Sequence, residues 1–75
     1  MSSAIINALI NSGLARLKKA GHLSVNRQNI MTDEVFRPLF KSMVEATIAD
    51  STDYLIIYAC RDILEKLGNP YAGKN

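Results

Sequence analysis

The side chains of this 75-residue sequence with intrinsic reactivity are few: Cys60, His22 and seven carboxylates. A cysteine and a histidine that meet in a folded chain can act as thiolate nucleophile and base. Both residues have a plainer reading. His22 directly follows Gly21 at the end of an apolar-periodic segment, where it reads as a loop residue or as a cation at a helix C-terminus. Cys60 falls on the apolar arc of a helical segment and reads as a small buried hydrophobe, not an activated thiol. A zinc site draws on about four Cys, His or carboxylate ligands, and one cysteine with one histidine is too sparse a set. Gly13, Gly21, Gly68 and Gly73 are scattered and make no phosphate-cradling loop. The carboxylates are accounted for by helix starts and i,i+4 pairs. No catalytic residue, metal or cofactor is expected, and the chain is read as a non-enzyme.

Side chains that recognise are better represented than side chains that react. Tyr54 and Tyr58 stand one helical turn apart, with Leu55 beside them and Arg61, Asp62 and Glu65 following on the same side. Tyrosine and arginine combine large contact area with polar tips and are enriched at binding hot spots. Val44 and Ile48 fall beside a charged stripe instead of in the apolar arc of their segment. Together with Tyr54, Leu55, Tyr58 and Arg61 they form the candidate protein-binding set. A second candidate surface is the polar side of the first helix, where Asn7, Asn11, Lys18 and Lys19 alternate with Ala4, Ala8 and Ala15, and the charge of the chain is asymmetric. Residues 1–32 hold Arg16, Lys18, Lys19 and Arg27 and no acid, a charge of +4, whereas residues 33–75 carry −2. These cations could contact phosphates of a nucleic acid, or three of them could simply close a helix at its negative end.

The elements that position these residues follow from apolar periodicity. Ile5, Ile6, Leu9, Ile10, Leu14 and Leu17 define a first helix over 3–20, with Ser2 or Ser3 as cap and Gly21 as a left-handed stop. Gly13 lies inside that apolar face, which implies local weakness or the close approach of another backbone. Residues 21–31 lack helical period and read as a loop that tucks Leu23, Val25 and Ile30 onto the domain, with a short strand over 23–26 as an alternative. A second helix is expected over 33–49, capped by Thr32, with Val35, Phe36, Leu39, Phe40, Met43 and Ala46 as its inward arc. On its other side Asp33–Arg37 and Lys41–Glu45 stand at pairing distance. Pro38 predicts a bend or a late start. A third helix over 52–67, capped by Asp50 or Ser51, is set by Ile56, Cys60, Ile63, Leu64 and Leu67 and ended by Gly68 and Pro70.

The fold class is therefore all-α: a small three-helix bundle, residues 1–68, followed by a short tail, 69–75, docked at most through Tyr71. Apolar residues make up 48% of the chain, enough for a core. A domain of this length still buries only roughly 60% of its unfolded surface, and self-association is a common remedy. The longest apolar run, Tyr54 to Cys60, falls far short of the roughly 20 residues that cross a bilayer. No basic segment precedes the apolar residues of the N-terminus. A cytoplasmic protein without a membrane partner is expected. The leading functional expectation is a small helical interaction protein that binds a protein partner and its own copies, of the regulator or inhibitor type that phages and mobile elements often encode. The alternative is a nucleic-acid-binding module using Arg16, Lys18, Lys19 and Arg27. The 21–31 connection is longer than the 3–4-residue turn of a helix-turn-helix, which counts against the alternative.

Overall fold

The computed structural model describes residues 3–68, in which three helices follow in order: α1 (Ser3–Lys19), α2 (Phe36–Asp50) and α3 (Tyr54–Gly68). No strand forms among the described residues, so the chain is the small all-α three-helix bundle that the periodicity predicts, and Tyr54–Cys60 is helix throughout. Leu23–Asn26 forms no strand either. Ser2 and the 69–75 tail with Pro70 and Tyr71 lie outside the described residues.

Each helix end has an identifiable cause. Gly21 adopts φ +103°, and the N–H groups of Gly21 and His22 donate to the carbonyls of Lys18 (3.0 Å) and Leu17 (2.9 Å). This is the paired closure of a Schellman motif, which satisfies carbonyls left open by the last turn of α1. Arg16, Lys18 and Lys19 sit in that turn, where the helix dipole favours cations. The start of α2 differs from expectation. Thr32 does not cap it; its hydroxyl donates back to the Gln28 carbonyl. Asp33 takes the capping role, its Oδ2 accepting the N–H of Val35 (2.8 Å) and Phe36 (3.1 Å). Asp33 and Arg37 form no ion pair, and among the described residues the ion pair joins Lys66 to Asp62. The α-helical run begins at Phe36, and Pro38 falls in its first turn, where proline is tolerated. At α3 the cap is Asp53, whose Oδ1 accepts the Leu55 N–H at 2.9 Å, and not Asp50 or Ser51. The Ser51 hydroxyl accepts the Asp53 N–H and so holds the capping residue in place.

The inward arc of α2 is also displaced from the expected one. Phe36, Phe40 and Val44 are buried, Met43 and Ile48 pack against them, and Val35, Leu39 and Ala46 face outward. The arc turns on Thr47. This residue is half-buried in the inward line, and its hydroxyl donates to the Met43 carbonyl at 2.9 Å, so a polar side chain sits there without an unmet bond.

The bundle is closed by its first loop as well as by its helices. Helices α2 and α3 pack most extensively, α1 lies against both, and Val25 and Ile30 from the loop enter the same core. Leu23, expected to tuck in with them, is instead 79% exposed. The loop is held in shape by its own side chains. Asn26 Oδ1 accepts the N–H of Gln28 and Asn29, and Asn29 Oδ1 accepts the Asn26 N–H at 2.8 Å. Gly13 is buried against this region. It is not another backbone that comes close but the Phe40 ring, with the Ile30 side chain next to it.

Candidate protein-binding surface

The reactive side chains are placed where they pack. The Cys60 thiol is fully buried in the core, and burial pushes its pKa above the ordinary thiol value by disfavouring the thiolate. His22 is half-buried, its ring edge-on to Phe36 with centroids 5.8 Å apart. Among the described residues no three His, Cys, Asp or Glu side chains gather as a metal-holding group. Because the folded thiol resists ionisation and the unfolded one does not, rising pH draws protons preferentially from the unfolded chain. Stability is thus unaffected below the ordinary thiol pKa and falls as pH climbs past it towards the raised folded value. In the native protein Cys60 is expected to react with an aromatic disulfide only as fast as the chain opens, and at once in denaturant. Rapid native labelling at neutral pH would show the thiol to be accessible.

The outer side of α3 presents the recognition residues. Tyr54, Leu55 and Tyr58 are 71%, 59% and 50% exposed, and Arg61 and Glu65 are exposed beside them. The two tyrosine rings stack on each other, with centroids 6.2 Å apart and an interplanar angle of 27°. The inner side of the helix carries Ala59, Cys60, Ile63 and Leu67, all buried. The aromatic strip therefore points directly away from the rest of the bundle. Val44 and Ile48 do not join it. Val44 is 2% exposed inside the core and Ile48 packs against the core, so the expectation that both lie on a binding surface is corrected by the displaced arc of α2.

The basic residues are exposed but dispersed. At about 100° per residue, Arg16 and Lys18 lie roughly 160° apart around α1. Arg27 is committed to the scaffold: its guanidinium donates to Asn11 Oδ1 at 2.9 Å and also to Asn7 Oδ1. Asn7 and Asn11 stand i,i+4 on α1, so one planar fork bridges both and ties the loop to the helix. Sequence reading missed this clamp and also the outward placement of Leu23, Val35 and Leu39. A further open groove of about 390 Å³, almost entirely apolar, is lined by Ala4, Ile5, Ala8, Leu9, Thr47 and Ile56. No helix among the described residues is long and apolar enough to cross a membrane.

The class defined by this fold and surface is a small helical bundle with an exposed aromatic strip. No protein family, curated protein or solved structure matches the chain.

Proposed function

We propose that the protein is a non-enzymatic helical interaction protein, a regulator or inhibitor in type, that acts by protein–protein binding and self-association through the outer face of α3. The observation that carries this reading is the stacked, solvent-exposed pair Tyr54 and Tyr58 on the side of α3 opposite the core. Two large rings held in water by a helix whose inner side already fills the core add nothing evident to folding. They supply what an interface needs: wide apolar area, few rotatable bonds and hydroxyl tips that tolerate a wet rim. Small size supports the same reading, since a domain of this length gains stability by covering exposed apolar surface with a second chain.

The test is sedimentation of the purified protein at micromolar concentration, with circular dichroism in parallel. The wild-type mass should exceed 8.3 kDa. Tyr58→Ala should weaken association by at least about 30-fold, the equivalent of a hot-spot loss of about 2 kcal/mol. The helicity of the dissociated chain should barely change, because substitutions at exposed sites that touch nothing in the same chain usually stay within about 0.5 kcal/mol. A wild-type chain that sediments as a folded monomer, or a Tyr58→Ala chain that associates undiminished, would count against the reading.

A further inference from the structure

We infer that the occupant of the α3 strip is a second copy of this chain, docked antiparallel about a two-fold axis so that Tyr58 of each copy lies against Arg61 of the other and Tyr54 of each meets Glu65 of the other. The inference rests on the reading of α3 as the binding face and specifies its partner and register.

The argument starts from spacing. Tyr54, Tyr58, Arg61 and Glu65 are exposed and separated by four, three and four residues, so they form one strip along the helix. That spacing is the same in both directions. Laying the strip on a reversed copy of itself brings position 54 opposite 65 and position 58 opposite 61, at both ends at once. A two-fold interface requires such self-complementarity, because every contact must recur with the roles of the copies exchanged.

The chemistry matches at each paired position. A guanidinium over a tyrosine face is a favourable cation–π contact, and a tyrosine hydroxyl can donate to a carboxylate. A parallel arrangement would instead set Arg61 against Arg61 and Glu65 against Glu65, which is repulsive. The charged heads are available for this role. Among the described residues the ion pair on α3 joins Lys66 to Asp62, and neither Arg61 nor Glu65 is engaged in one, although they stand i,i+4. Antiparallel alignment also opposes the two helix dipoles. The approach is unobstructed because the strip lies opposite the buried side formed by Ala59, Cys60, Ile63 and Leu67.

The register is tested by complementation between two single variants of the full chain, followed by sedimentation equilibrium. In Tyr58→Arg homodimers each new arginine faces Arg61 of the other copy; in Arg61→Glu homodimers a carboxylate replaces each guanidinium over the Tyr58 ring face, whose negative potential repels it. Each variant alone should dissociate at least about 30-fold more readily than wild type. Mixed in equal amounts, they should form a heterodimer with dissociation constant within about threefold of wild type. One end then pairs the new arginine with the new glutamate, and the other keeps the original tyrosine–arginine contact. Circular dichroism of each variant confirms that the fold is intact. Loss in both single variants without recovery on mixing would overturn the antiparallel register while leaving α3 as the binding face. Undiminished association of either single variant would overturn the contact itself. A wild-type chain that stays monomeric would exclude a second copy as the occupant.

Discussion

Replacing Val44 by aspartate is expected to unfold the protein, whereas the same replacement at Leu39 is expected to leave it folded. Val44 is 2% exposed in the core, and no polar or charged side chain among the described residues is buried with it. An unpaired carboxylate there loses its hydration without compensation, at a cost of several kcal/mol, in addition to the lost packing of the valine. A chain of this length has total stability of only roughly 4–11 kcal/mol, so the folded population collapses. Leu39 is 37% exposed, and an aspartate at this position keeps its water. Far-ultraviolet circular dichroism and urea titration read the contrast directly. Native helicity in Val44→Asp would remove Val44 from the core; unfolding of Leu39→Asp would show that the outward arc of α2 is covered.

The contrast also marks where sequence was a good guide and where it was not. Helix α3 was legible in its rotation because its polar and apolar sides differ sharply: Arg61 and Glu65 flank the tyrosines, and Ile56, Cys60, Ile63 and Leu67 hold the other side. Helix α2 offers two neighbouring apolar arcs. Val35, Leu39 and Ala46 lie on one, and Phe36, Phe40 and Val44 lie on the other, continued by Thr47. The threonine reads as polar in sequence, yet its local bond to the Met43 carbonyl makes it fit the inner line. The choice between the arcs was made by tertiary packing, which periodicity does not encode. Caps were misplaced by one to three residues for a related reason. Thr32, Asp33, Asp50, Ser51 and Asp53 are all good capping types, and only the path of the incoming chain selects Asp33 and Asp53. The Arg27 clamp spans 16 and 20 residues in sequence and is signalled by no local pattern. Of the surface expected to bind protein, the part on α3 is exposed, while Val44 belongs to the core and Ile48 packs against it.

Phe40→Ala should cost about 3–5 kcal/mol, the usual range for deleting a buried aromatic ring, and the more informative experiment couples this site to Gly13. Phe40 is 1% exposed and its ring presses on α1 at Gly13. A methyl group added there would lie 2.6 Å from both Cδ1 and Cε1 of Phe40 and 3.2 Å from Cδ1 of Ile30, closer than packed carbons tolerate. Two effects then oppose each other. Alanine is the better helix former by about 1 kcal/mol, whereas overfilling a packed core costs typically about 1–3 kcal/mol. The ring is 1% exposed and packed within the core, so the second effect should win and Gly13→Ala should destabilise the wild-type protein. In a Phe40→Ala background the ring atoms that meet the methyl are gone. There the same substitution should stabilise by about 1 kcal/mol, partly filling the space that the ring leaves. A double-mutant cycle from urea unfolding measures this reversal, which corresponds to a coupling energy of about 1–3 kcal/mol between contacting residues. Additive effects at the two positions would mean that Phe40 and Gly13 do not touch. A stabilising Gly13→Ala in the otherwise wild-type chain would mean that the core yields to the methyl, and that the glycine reflects only a weak turn of α1.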